Sequence, residues 1–261
     1  MNNSVKVTCG INVFNDCNSL KRTLSTTTEY FDRIYVIDGR YPDYNDNSNA
    51  KYSTDGTKEL VAKYSNCKYI QYFAEQKSKR TRYFKECEYD FLLVIDADEY
   101  LVIDSWSTFQ DQLQRYILNM PERSRSYQYQ INYHSEPEKF IFLPRLIYKP
   151  NNLVYANHWA IITDPTLNID NKASMVSSMR VEGITIGTDD LLRPDNRLQQ
   201  DIDYQWNLFL KEKVITDKVH KDTECKANFA KHIVWEVNVW KQHQQEQEAK
   251  IKYISRFKKN T

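Results

Sequence analysis

The chain has 261 residues, with 36 Lys+Arg against 35 Asp+Glu for a formal net charge of +1, 41% apolar residues and 13% aromatic residues. That length suits one large domain, or one domain plus an appendage, burying roughly 70–75% of its unfolded surface. The near-neutral balance excludes a global field of the kind that draws nucleic acid or an anionic membrane, although Lys250, Lys252, Arg256, Lys258 and Lys259 crowd the C-terminus as a solvated helix end. No run of 18 apolar residues exists, so no transmembrane segment is expected. Met1 to Ser4 lacks the basic and apolar regions of a signal peptide. The five cysteines (Cys9, Cys17, Cys67, Cys87 and Cys225) have no metal-type spacing and read as reduced packing thiols of a cytoplasmic protein.

The elements follow in chain order. Val5 to Val13 reads as a buried strand. Asp16 is placed to cap a helix running to about Tyr30, with Leu20 and Leu24 on one face. Arg33 to Asp38 is a second buried strand ending in a carboxylate. Gly39 to Ser53 is polar and reads as a loop, and Thr54 is placed to cap a helix through Tyr64. Lys68 to Phe73 is a third strand, Gln76 to Cys87 a basic helix, and Phe91 to Ile95 a fourth strand. Alternating strands and helices predict an α/β fold around a mixed, mostly parallel sheet with flanking helices. Parallel strands share a direction, so Asp38 and Asp96 are expected on one rim.

After residue 105 the pattern changes. Trp106 to Asn119 reads as a helix. Ser126 to Tyr133, Lys139 to Tyr148, Val154 to Ile162 and Met175 to Ile186 read as strands of an antiparallel second half. Pro194 opens a helical stretch to about Lys213. A final helix runs from about Ala227 to Phe257 with Ile233, Val234, Val237 and Trp240 as its apolar stripe. The organisation expected is a main domain over 1–215, with halves 1–105 and 106–215, and a C-terminal helical extension over 216–261.

The chemistry concentrates at Phe91-Leu92-Leu93-Val94-Ile95-Asp96-Ala97-Asp98-Glu99. A continuous apolar run is a strand buried on both faces, and its end delivers carboxylates to the edge where open α/β sheets bind ligands. Asp-x-Asp offers hard oxygens of the kind that hold Mg²⁺ or Mn²⁺ against a diphosphate. A strand followed by a plain acidic turn is the alternative. Asp98 is expected as an exposed carboxylate of the rim.

Four pieces in order give a resemblance. Ile11-Asn12-Val13-Phe14-Asn15-Asp16 with Ser19 to Leu24, then Ser53-Thr54-Asp55-Gly56-Thr57, then the basic stretch Gln76 to Arg82, then Asp96-Ala97-Asp98-Glu99-Tyr100-Leu101 resemble family 2 glycosyltransferases of the GT-A fold. The set covers about residues 5–105. The resemblance implies that Asp38 and the turn of Asn12, Val13, Phe14 and Asn15 cradle base and ribose. Lys79, Arg80 and Arg82 would face the diphosphate, and Asp96 and Asp98 would hold the metal. A 15-residue polar insertion departs from the family by separating Asp38-Gly39 from Asp55-Gly56. Either Asp38 or Asp55 can hold the nucleotide-binding place. Asp38 is preferred for its strand end, because Asp55 also reads as a helix-start carboxylate.

Downstream, Phe142 to Pro150 and Val154 to Trp159 again resemble related transferases. This makes His158 a candidate third metal ligand or phosphate contact, and Trp159 a stacking or core residue. Arg193 and Arg197, around Pro194, are candidate phosphate contacts. The His that relatives often carry near Gly187 is missing, which casts doubt on metal coordination from that strand. An inverting transferase needs a carboxylate base for the acceptor hydroxyl. Glu99, Asp164, Glu182, Asp189 and Asp190 are the candidates, with Glu99 or Asp189 preferred.

The expectation is therefore a metal-dependent glycosyltransferase. Its donor is a nucleotide diphosphate sugar (a UDP-sugar), its cofactor a divalent cation (Mn²⁺ or Mg²⁺), and its acceptor an unidentified hydroxyl. A nucleotidylyltransferase of similar fold is the first alternative, though Cys9-Gly10-Ile11-Asn12 lacks the Gly-rich basic loop such enzymes carry. A non-catalytic carbohydrate- or nucleic-acid-binding module is the second.

Overall fold

Strand β1 (Val7–Val13) is apolar throughout and buried at every position. It sits between β2 (Arg33–Asp38) and β4 (Phe91–Asp96), pairing with both in parallel. A computed structural model describes residues 4–42, 44, 49–119, 127–136, 139–155, 161–163 and 175–188, and the side chains among them outside 127–144, 161–163, 175–179 and 188. All lie within the unit Met1–Asp190.

The remaining elements are helix α1 (Cys17–Thr27), α2 (Thr57–Val61), β3 (Cys67–Gln71), α3 (Gln76–Glu86), β5 (Glu99–Ile103), α4 (Trp106–Asn119), β6 (Tyr127–Glu136), β7 (Lys139–Tyr148), a 3₁₀ turn at Pro150–Asn152, β8 (Leu153–Tyr155), β9 (Ile161–Thr163) and β10 (Met175–Thr188). Eight strands form one sheet in the order β3-β2-β1-β4-β7-β6-β10-β5. The protein is thus mixed α/β, with a mostly parallel central sheet and flanking helices.

Side chains alternate across the sheet, which splits the core in two. Cys9, Ile11, Ile34, Val36, Leu93 and Ile95 face α1 and α4, with Leu20, Leu24, Phe109 and Leu113 packed against them. Tyr35, Ile37, Leu92 and Val94 face α3, with Tyr83 and Phe84. Each fully buried Leu or Ile contributes about 1.5–3 kcal/mol. Gly10 lets α3 close in, because a Cβ there would stand 2.8 Å from Tyr83 Cγ.

Four expectations are corrected. The helix expected from Thr54 through Tyr64 is only Thr57–Val61, and Gly56 occupies its N-cap position at φ 92, where glycine is favoured. The second half is not simply antiparallel. β6 and β7 pair antiparallel, but β10 runs parallel to β6 and antiparallel to β5. All of these strands extend the same sheet as β4. Val154 to Ile162 is not one strand, since β8 and β9 fold back on each other with Leu153 opposite Thr163. Finally, β5 was not expected at all. The C-terminal helices expected over 194–213 and 227–257 lie outside the described residues.

Candidate functional site

The C-terminal ends of β1, β2 and β4 form one rim, with Val13 in register with Asp38 and Asn12 with Asp96. Strand alternation sends Asp38 and Asp96 to opposite faces.

Asp38 is fully buried and closed in by protein donors. Ser53 donates both its backbone N–H (3.0 Å) and its hydroxyl (2.6 Å), and Tyr69 donates its hydroxyl. Burial and this bond to a carboxylate push the Tyr69 phenol above its ordinary range. Ser53 Oγ also accepts the Asn15 N–H at 2.8 Å, and the Asn15 side-chain oxygen accepts the Thr54 N–H at 2.9 Å. Asn15 holds φ 46, a left-handed value that asparagine tolerates. Asp55 continues this seam. Its Oδ2 accepts the Cys17 N–H at 2.7 Å, and its Oδ1 accepts the Thr57 N–H and hydroxyl. One carboxylate therefore caps α1 and α2 together, consistent with a helix-start role. Phe14 is half-buried on the same turn.

The α3 face of the rim carries the charge. Arg80 donates from one terminal nitrogen to both oxygens of Asp96, at 2.9 and 2.8 Å. Arg145 lies on β7, one residue before Leu146, which pairs with Leu93 of β4. Its guanidinium approaches Asp96 at 3.5 Å and donates to Glu99 Oε1 at 2.6 Å. Burial works against both guanidinium charges, but the carboxylates more than offset it and hold each group cationic well above its ordinary range. Glu99 is 3% exposed, and its other oxygen accepts the Asp96 N–H at 2.7 Å. Asp98 was expected at the exposed rim but is only 7% exposed. The turn that carries it is held inward, with the Ala97 N–H bonded to Asn12 O at 3.2 Å and Thr23 Oγ1 on the carbonyls of Ala97 and Glu99.

Lys79 is 1% exposed and donates to the carbonyls of Gly39 (2.6 Å) and Val13 (3.3 Å), tying the ends of β2 and β1. Burial lowers its pKa to about 7, against the pull of Asp38. Asn12 lies beside this cluster, 6% exposed, and neither atom of its side-chain amide has a hydrogen-bond partner among the described residues. Arg82 turns away and pairs with Glu86 one helical turn on.

Asn12, Arg80, Arg145, Asp96 and Glu99 thus come together on one face, and Asp98 follows two residues after Asp96 in the buried turn. Val13, Phe14, Asn15 and Asp38 form the adjoining seam. His158, Trp159, Asp164, Asp189, Asp190, Arg193 and Arg197 lie outside the described residues. Thr23 and Tyr69 are site-supporting residues that sequence reasoning missed, whereas Ser53 was quoted within the Ser53–Thr57 segment without its bond to Asp38. The partners of Thr23 and Tyr69 lie 74 and 31 positions away, so no local pattern marks them.

Asp96 and Asp98 are the carboxylates that could hold a divalent cation, with both oxygens of Asp96 accepting from Arg80 as the structure stands. Among the described residues no group of three His, Cys, Asp or Glu side chains is placed to hold a metal. Two carboxylates match a cation that completes its shell with substrate phosphate and water rather than in an all-protein cage. Among the described residues no helix is long and apolar enough to cross a membrane.

No protein-family model matches the sequence, and no curated protein matches it. Among solved structures, residues 1–349 of TarS from S. aureus align at 14% identity over 89% of this chain and 71% of that one, with a TM-score of 0.43. The same TarS piece in complex with UDP aligns at a TM-score of 0.42 and 14% identity over 88% and 71% of the two chains. The mannosyltransferase PcManGT from Pyrobaculum calidifontis, in complex with GDP-Man and Mn²⁺, aligns at 11% identity over 95% and 76%, with a TM-score of 0.49. Likenesses at that level carry no functional argument, and the functional reading rests on the rim itself.

Proposed function

We infer that the protein is a GT-A-type glycosyltransferase that moves a sugar from a nucleotide diphosphate donor, UDP-linked, to a hydroxyl acceptor with inversion. The observation that carries the reading is the gathering of Arg80, Arg145 and Lys79 around the Asp96–Asp98 turn at the C-terminal rim of parallel strands. That rim is where open α/β sheets bind ligands. Buried cations and hard carboxylates side by side suit a ligand that brings both a diphosphate and its counter-ion. The unmatched amide of Asn12 supports the same reading, because a buried polar group without a partner costs about 1–3 kcal/mol until a ligand or water meets it.

Asp98, with Asp96, would hold the divalent cation, which when bound neutralises the departing diphosphate as a Lewis acid. The chain's own residues do the rest. Arg80 and Arg145 supply fixed positive charge beside the phosphates, oriented in advance by Asp96 and Glu99. Lys79 fixes the carbonyl ends of β1 and β2, and so the floor on which the nucleotide rests. The side-chain amide of Asn12 offers the two N–H donors of its nitrogen and an acceptor oxygen to the same ligand. Asp38 lends shape to the base and ribose site through Ser53 and Tyr69.

The base is assigned to Asp189, one of the two carboxylates preferred on the sequence pattern. Glu99 itself, with both oxygens accepting hydrogen bonds, serves better to hold the turn than to take a proton. His158, Arg193 and Arg197 are assigned as phosphate or metal contacts on the sequence pattern alone. A reducing cytoplasmic setting is supported by the free thiols of Cys9 and Cys87, both buried.

The test is donor hydrolysis. The protein is incubated with a panel of UDP-sugars and Mn²⁺, and UDP release and thermal shift are measured. Release with one donor is expected. No release with any donor, together with no shift by UDP and Mn²⁺, refutes the reading, and pyrophosphate release from a nucleoside triphosphate would favour nucleotidyl transfer instead.

A further inference from the structure

Asp96 has two claims on it. Its position in the Asp-Ala-Asp turn suits a cation, yet Arg80 holds both of its oxygens and Arg145 stands 3.5 Å from one of them. Arg145 is held in place in turn by Glu99, whose second oxygen takes the Asp96 N–H. The four side chains close a ring around the strand end.

The charges decide how a cation meets this ring. Within the ring the two guanidiniums balance the carboxylates of Asp96 and Glu99, with Lys79 close by. A divalent cation entering alone therefore adds uncompensated charge in a largely buried place, which is costly. A nucleotide diphosphate changes the sum, since its phosphates supply both the missing negative charge and a better planar, bidentate partner for a guanidinium.

We propose that Arg145 is a positioning residue that, with Arg80, withholds Asp96 from divalent cations until a nucleoside diphosphate draws the guanidiniums onto its phosphates. Cation and donor binding are thereby coupled. The proposal rests on the nucleotide-diphosphate reading of the rim given above. Coupling is reciprocal, so the nucleotide also binds more tightly in the presence of the cation, by the same factor.

The experiment measures free Mn²⁺ by room-temperature electron paramagnetic resonance while the full-length protein is titrated with and without UDP. Three variants are compared with the unaltered chain, each checked for folding by circular dichroism: Arg145→Gln, Arg145→Lys and Asp98→Asn. The unaltered chain is expected to bind Mn²⁺ at least about tenfold more weakly without UDP than with it. Arg145→Gln should tighten Mn²⁺ binding without UDP by about five- to tenfold and shrink the UDP effect accordingly. Arg145→Lys keeps the charge but cannot bridge Asp96 and Glu99 as a fork does, so it should fall between the two. It also provides the test if the glutamine variant fails to fold. Asp98→Asn should lose Mn²⁺ binding in both conditions. Equal Mn²⁺ affinity with and without UDP in the unaltered chain, or Arg145 variants that bind Mn²⁺ as it does, overturns the coupling and leaves the functional reading standing. No Mn²⁺ binding even with UDP removes the metal site itself and overturns both.

Discussion

Replacing Lys79 with Met should flatten part of the pH dependence of stability. Lys79 is 1% exposed, and burial brings its pKa from 10.5 to about 7. An unfolded lysine keeps its proton to about pH 10.4. Between these values the unfolded chain binds a proton that the folded chain has given up, so stability rises with pH. From pH 6 to pH 9 this single group adds about 2.5 kcal/mol, at 1.36 kcal/mol for each unit spanned above the folded pKa. Met keeps the length of the stem and cannot titrate. It also gives up the bonds to Gly39 O and Val13 O, an offset that shifts the variant at both pH values. Urea unfolding midpoints of the two proteins at pH 6 and pH 9 give the comparison. Every other titrating group, including the buried thiols of Cys9 and Cys87, is common to both proteins and drops out of the difference. The stability gap between wild type and variant should change by about 2.5 kcal/mol in favour of wild type as the pH rises. A gap that stays constant within about 0.5 kcal/mol would refute the reasoning, because Lys79 would then be an ordinary ammonium throughout.

Three further outcomes are expected. Asp98→Asn should lower UDP release by at least about a hundredfold, the scale seen when a transition-state charge loses its stabiliser. Its unfolding free energy should fall by no more than about 1–2 kcal/mol, as an isosteric change that leaves the turn in place, and a larger fall measured in urea would make the motif structural. Tyr69→Phe removes one of three donors to the buried Asp38 and should cost about 1–2 kcal/mol with an unchanged denaturant slope. Asp55→Ala uncaps two helices at once and should cost about 1–2 kcal/mol by thermal or urea unfolding. A cost near zero would mean water replaces the carboxylate at both starts.

The parallel half was legible because its signals are local. Arg33 to Asp38 is a strand at those bounds, Gln76 opens α3, and Phe91 opens β4, since apolar runs between polar turns report burial directly. Asp16 was rightly placed at the start of α1, yet the carboxylate that takes up the first helical N–H is Asp55, brought in from 38 residues away. β5 was hidden because Glu99 reads as part of an acidic motif. Only its pairing with β10, from Thr188 back to Ile184, makes Glu99 to Ile103 a strand. The parallel course of β10 along β6 was equally invisible, because alternation reveals a strand but not its direction. At the candidate site, Asp96 and Asp98 were singled out from their spacing and Arg80 from the family resemblance. The part taken by Arg145 was not, since it depends on β7 lying against β4 and delivering a guanidinium to the rim.

The seam of Asp38, Ser53, Asn15 and Asp55 makes the insertion after Gly39 a detachable module. Its entry is pinned by the Arg40 N–H on Lys51 O at 2.9 Å, and its exit by Ser53 on Asp38. Between those pins Tyr41 still reaches the rim, with the Lys79 ammonium 4.9 Å from the centroid of its ring. Closing a loop of twice the length adds only about 0.6 kcal/mol. Positions after Tyr44 and before Lys51, past the contact of Tyr41 with Lys79, are therefore a place where foreign sequence, such as an epitope or a fluorophore-labelling tag, can be grafted while the register of β1, β2 and β4 stays as it is.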